Sequence, residues 1–171
     1  MAPNRPQRHE ESLEEEATHV TDEARMILPG VQAIMGFQLI AVFNQRFQEL
    51  TSDLQVWHLT AFLLLTVAMA LIMTPAAYHR QAERGRVTRR FVDLASLLLM
   101  LALAPLAAGL AIDAYLLTWL VLSDRLAGIC VTLGVLLLLV GLWFVLPQAA
   151  RPGRHSRPRD SDARQSASDR F

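Results

Sequence analysis

The sequence predicts an all-α fold: a four-helix transmembrane bundle with an amphipathic helix before it and disordered termini. Three observations predict it. First, four long runs contain no Asp, Glu, Lys or Arg: Met26–Gln45, Leu54–Tyr78, Leu94–Ile112 and Leu126–Gln148. A helix needs about 20 apolar residues to cross the hydrocarbon core. None of the runs alternates like a strand, and in lipid only a helix lets a single segment satisfy its own backbone. Second, all 16 basic residues are arginines, and they are sorted by side. Fourteen fall in the N-terminal tail, the Arg80–Arg90 loop and the C-terminal tail, and only Arg46 and Arg125 fall in the other two loops. Third, Trp57, Tyr115 and Trp119 cluster at one set of run ends, and Tyr78, Trp143 and Phe144 at the other. Rings that are apolar with one polar atom favour the headgroup layer. The arginine asymmetry predicts a multi-pass membrane protein with both termini and the Arg80–Arg90 loop in the cytoplasm.

Residues 1–11 hold two prolines and no apolar run, and are predicted to be a disordered tail. From residue 12 the pattern changes. Ser12 with Glu15 three residues later forms a capping box. Leu13, Ala17, Val20, Ala24 and Ile27 recur at helical spacing, with Glu11, Glu14, Glu15, Asp22 and Glu23 opposite. Residues 12–26 therefore read as an acidic amphipathic helix. Residues 1–26 carry three arginines against seven acids. That balance disfavours an anionic lipid surface, because surface helices present a basic polar face. A protein partner fits better, the Arg80–Arg90 loop being the nearest; a solvated acidic face is the plainer alternative.

The transmembrane helices are predicted at about 27–47, 56–78, 92–113 and 126–147. Pro29-Gly30 marks the start of the first. The first 25 residues are acidic and no small-residue cleavage pattern follows, so this helix is expected to be retained. It is also the most polar, with Gln32, Gln38, Asn44 and Gln45. Gln38 and Gln45 are seven apart, which places them on one face for bonding across helices. The third run is rich in small residues around Pro105 and Gly109, and the fourth has Ala127, Gly134 and Gly141 at seven-residue spacing. Small residues permit close backbone approach, so these two surfaces are expected to pack together. The lone Cys130 lies in the fourth run and has no partner for an internal disulfide. Ala114–Ser123 is apolar but too short to span. It either prolongs the third helix or lies in the interface; prolongation would carry Asp113 into the bilayer. Residues 149–171 form a basic tail predicted to be disordered, attracted to anionic headgroups together with the Arg80–Arg90 loop. The tail interleaves no aromatic side chains among its arginines for base stacking, so nucleic acid is not expected.

The residues that declare a chemistry are missing. There is no Gly-rich phosphate loop, Cys pair, His-Glu-x-x-His or nucleophile elbow. The histidines stand apart at 9, 19, 58, 79 and 155, with His58 and His79 at opposite membrane faces. No catalytic, cofactor or metal site is expected, and no enzyme. Coupled transport needs an ionisable group at membrane depth. The centres of the four runs have none, and Asp93 and Asp113 flank the third. The candidates for functional or anchoring roles are Gln32, Gln38, Gln45, Arg46, Tyr78, His79, Arg80 and Asp113.

Four stretches carry a resemblance: Leu28-Pro-Gly-Val-Gln32, Asn44-Gln-Arg-Phe-Gln-Glu-Leu50, Pro75-Ala-Ala-Tyr-His-Arg80 and Leu142-Trp-Phe-Val-Leu-Pro147. Across roughly residues 23–147 the chain resembles a family of small bacterial four-helix membrane proteins of unknown function. The resemblance implies fold and location; some members carry a sodium/proton antiporter label. This chain departs from the family pattern at Gln38, usually apolar, and near Val42, often a proline. The leading expectation is a structural or accessory membrane protein, alone or as a homo-oligomer. The alternative is a small oligomeric ion or solute transporter, cation/proton antiporter-like, resting on Asp113.

Overall fold

The computed structural model describes residues 5–82 and 87–149, and these are helical almost throughout, with no strand among them. Helix α1 runs Arg5–Val42, α2 is the single turn Gln45–Gln48, α3 runs Ser52–Ala82 and α4 runs Arg89–Leu122. Helix α5, Arg125–Val140, continues through a π-helical turn at Gly141–Val145 into α6, Leu146–Ala149. Four of these segments are long and apolar enough to cross a bilayer. The chain is a multi-pass membrane protein.

The central seam lies between α3 and α4. Ala61, Leu65, Ala68 and Ile72 repeat at heptad-like spacing and are buried, Leu65 fully. They meet the face of α4 that carries Leu99, Ala102 and Leu106. Spacing of three and four residues keeps one stripe turned toward a neighbouring helix. Helix α1 closes over this seam through Val31. The remaining faces are apolar yet uncovered: Leu137 on α5 is 72% exposed, and Phe37 on α1 is 72% exposed. Such surface is tolerable only where lipid or another helix covers it.

Several expected boundaries move. The amphipathic helix and the first transmembrane helix are one continuous element. Its backbone is already helical at Arg5, so Ser12 does not cap a start, and residues 5–11 are not an irregular tail. Pro29 sits inside α1. It lacks the N–H that would bond the Arg25 carbonyl, and the helix continues past that one missing bond. The N-terminal part of α1 docks where α4 begins: Ala17 packs with Phe91, Val92 and Ala95. Glu16 accepts from Arg89 at 2.8 Å, and Arg89 also pairs with Asp93 at 3.3 Å. Both pairs are exposed, so each contributes at most about 1 kcal/mol, and the buried apolar contacts dominate this docking.

At its other end α1 stops at Val42, short of the expected residue 47. Asn44 is extended and its side chain accepts from the Arg46 amide, starting α2. Gln45 therefore leaves the helix that carries Gln38, and the two amides do not share a face. Helix α3 begins at Ser52 instead of 56 and ends at Ala82 instead of 78. Helix α4 begins three residues before the expected 92 and runs nine residues past 113. Ala114–Leu122 thus prolongs the helix, since no Gly, Pro or capping residue interrupts it before Ser123. Of the Arg80–Arg90 loop, Arg84 and Arg86 lie outside the described residues, as do residues 1–4 and 150–171 of the two tails.

The small-residue surfaces also pair differently. A Cβ on Gly109 would lie 3.1 Å from Leu65 and 3.3 Å from the Ala61 carbonyl, so this face of α4 packs on α3. Gly134 and Gly141 have nothing within 4 Å. Helices α4 and α5 do pack, and the glycine held in close contact there is Gly128, which lies against Tyr115 beside their shared turn. That turn holds Ser123 at φ 53°, in the left-handed region, with its N–H on the Trp119 carbonyl. Asp124 then caps α5 by accepting from the Leu126 amide at 2.8 Å. A left-handed non-glycine residue is disfavoured by roughly 1–2 kcal/mol. Ser123→Gly is therefore expected to stabilise the protein by about 1 kcal/mol, read as a higher midpoint of thermal unfolding in detergent.

Candidate functional site

The prolongation of α4 decides where Asp113 stands. It lies nine residues from the end of α4, inside the segment fit to span the membrane. Gln38 lies four residues before the end of α1, and His58 six residues after the start of α3. At 1.5 Å per residue the three positions lie roughly 6–14 Å inside their helix ends. They come together there, one from each packed helix.

The Gln38 amide nitrogen donates to both Asp113 carboxylate oxygens, at 2.8 and 2.7 Å. Gln38 is only 6% exposed and is the one buried polar side chain in the described core. His58 Nε2 lies 3.1 Å from the Gln38 backbone carbonyl. A carbonyl can only accept, so Nε2 is the donor in this bond. Phe47 of α2 meets the His58 ring edge-on, with centroids 5.0 Å apart. The second Gln38 atom, Oε1, is buried and has no hydrogen-bond partner among the described residues. A buried acceptor left unpaired costs about 1–3 kcal/mol, so this group is an open position for a donor.

The other candidates do not join this cluster. Gln32 is exposed on α1, and Gln45 and Arg46 are exposed on α2. Tyr78 and His79 both pack on Phe91 at the opposite end, with centroids 6.2 and 5.3 Å away. Arg80 is exposed beside them. Nor does Asp113 line the cavity of about 560 Å³ at the near helix ends; Trp57, Tyr115 and Trp119 do, with Arg125 stacked 5.7 Å over Trp119. Among the described residues no group of three His, Cys, Asp or Glu side chains is placed to hold a metal ion.

His58 was not singled out from sequence, whereas Phe47 was, as part of a Gln45-Arg46-Phe47 group. The signal was present in hairpin arithmetic. Helices α1 and α3 are joined by a short connection, so positions a few residues either side of it stand at one level. His58 is the only ionisable residue in its apolar run.

Comparison with known protein families places residues 7–147 in the Family of unknown function (DUF6328). The chain belongs to this family. The DUF6328 match begins within α1 and ends within α6, so it takes in all four long apolar segments and the whole Gln38–His58–Asp113 cluster. Comparisons with curated proteins and with solved structures returned no match.

Proposed function

We propose that this DUF6328 protein is a small ion-coupled transporter, working as an oligomer, in which Asp113 is the coupling group. The observation that carries the reading is Asp113 itself: an ionisable side chain within a membrane-spanning helix, bonded to a buried amide of a second helix and beside a histidine of a third. Ionisable groups at membrane depth are costly and commonly mark ion or proton pathways. The bonding pattern favours cation or proton coupling. Gln38 holds both carboxylate oxygens through one nitrogen, a bond that a cation or proton arriving at the carboxylate can replace. The unpaired Gln38 Oε1 offers an adjacent acceptor. The reading also takes the arginine-rich end to face the cytoplasm of a bacterial inner membrane.

A second reading is a structural or accessory, non-enzymatic protein in which the same bonds fasten α1 to α4. It is favoured by Asp113 lying outside the lining of the outer cavity. Proteoliposomes with a preset pH gradient separate the two. Addition of sodium or potassium should dissipate the gradient with wild-type protein and not with Asp113→Asn. Equal dissipation by both, or none by correctly folded wild-type protein, would remove the transport reading.

A further inference from the structure

At the arginine-rich end, a cavity of about 320 Å³ opens between α1, α3 and the start of α4. Its walls are apolar, from Leu28, Ile72, Met73 and Phe91, and its rim carries Arg25, His79 and Arg80. No acidic residue lines it. On the far side of α3 a second groove, of about 680 Å³, shares Met73, Ala76 and Arg80 with the first. The two therefore adjoin around one edge of α3, with Arg80 at the head of both. Arg80 forms no ion pair among the described residues, whereas Arg25 is held 3.3 Å from Asp22. This end of the bundle is at headgroup level, as Tyr78 and the exposed Arg89 and Arg90 beside it indicate.

We propose that this paired groove is a binding site for a two-chain anionic phospholipid, its phosphate on Arg80 and one acyl chain on either side of Met73 and Ala76. Charge and shape select this ligand together. The Arg80 guanidinium at this rim has no ion pair among the described residues, so it attracts a phosphate, and its planar fork suits the phosphate oxygens. His79 adds a hydrogen-bond donor. The apolar walls suit hydrocarbon and leave a free phosphate ion nothing to gain. A zwitterionic lipid would fill the walls but bring its own cation to the rim. The α3 C-terminus opposes an anion through its dipole, and the full charge of Arg80 outweighs that partial charge. The site is separate from the Gln38–Asp113 cluster and does not rest on a transport function.

The test is native mass spectrometry of the full chain in nanodiscs and in detergent, with phosphatidylglycerol, phosphatidylcholine or inorganic phosphate as probe. One phosphatidylglycerol should be retained in preference to phosphatidylcholine. Arg80→Gln should weaken retention about fivefold, and with Arg25→Gln about 25-fold, the size expected for losing one and two arginines at a membrane surface. Arg46→Gln, at the other end, should change nothing and controls for general charge loss. Retention of both lipids alike would reduce the groove to an apolar surface. Displacement by inorganic phosphate would make it a free-anion site. Undiminished phosphatidylglycerol in a folded Arg80→Gln protein would overturn the placement.

Discussion

Asp113→Asn is expected to stay folded and to lose all cation-driven proton movement. Asparagine has nearly the shape of aspartate, and its carbonyl can still accept from the Gln38 nitrogen that now bonds both carboxylate oxygens. It cannot carry a charge or exchange the proton that coupling requires. The contrast with Asp113→Leu makes the result interpretable. Leucine leaves the buried Gln38 amide with no partner on either end, since Oε1 already lacks one. That should cost about 1–3 kcal/mol. Gln38→Leu is expected to cost a similar amount, about 1.5–3 kcal/mol, because a part-buried carboxylate then loses its donor. The double replacement should recover most of either loss, since two apolar groups facing each other leave nothing unpaired. Thermal unfolding in detergent reads the stability series, and gradient dissipation reads the function. Full flux in Asp113→Asn would refute coupling at this site; unfolding as severe as that of Asp113→Leu would contradict the preserved hydrogen bond.

The fold class was legible because its cause is local. Four uncharged runs in a chain of 171 residues have few alternatives, and each run falls largely within one of the four long apolar segments. The boundaries were harder because they depend on what lies beside the chain. Hydropathy divides Glu23 from Ile27, yet the backbone does not break there, as Ala17 has Phe91 and Val92 to pack against. At the other end of α1, Asn44 could be read either as a polar residue of the helix or as a cap for the next turn. The extended backbone at Asn44 makes it the cap, which removes Gln45 from the face of Gln38.

The candidate site was legible in half. Gln38 and Asp113 stood out singly as polar residues in or beside apolar runs. Their meeting depended on the path of Ala114–Leu122, a stretch whose composition suits an interfacial segment as well as a helix. Its continuation as helix places Asp113 well inside α4. In sequence His58 reads only against His79, at the opposite face, and its position next to Trp57 does not reveal that the two side chains diverge. Trp57 lines the cavity it shares with Tyr115 and Trp119, while His58 turns toward Gln38. Successive helical residues point about 100° apart, so sequence neighbours seldom share a surface.

Gly109→Leu is expected to be the most damaging substitution on the α3–α4 seam. The first added atom would already lie 3.1 Å from Leu65 and 3.3 Å from the Ala61 backbone carbonyl. Leu65 is fully buried and so has no vacant space to move into, and a helix carbonyl moves only with its helix. The remaining three carbons have nowhere to go unless α3 and α4 separate. Overpacking of this kind costs about 1–3 kcal/mol when a side chain can yield, and here the loss should reach or exceed the upper figure. Helix separation would also shift α4 relative to α1, so Asp113 should lose its short bonds to Gln38 although neither residue is touched. Gly134→Leu supplies the control, with the same added volume on α5 where nothing lies within 4 Å. It should leave the unfolding midpoint of the monomer almost unchanged. Comparable destabilisation by the two variants would mean that the α5 stripe, and not the α4 face, is the close-packed surface.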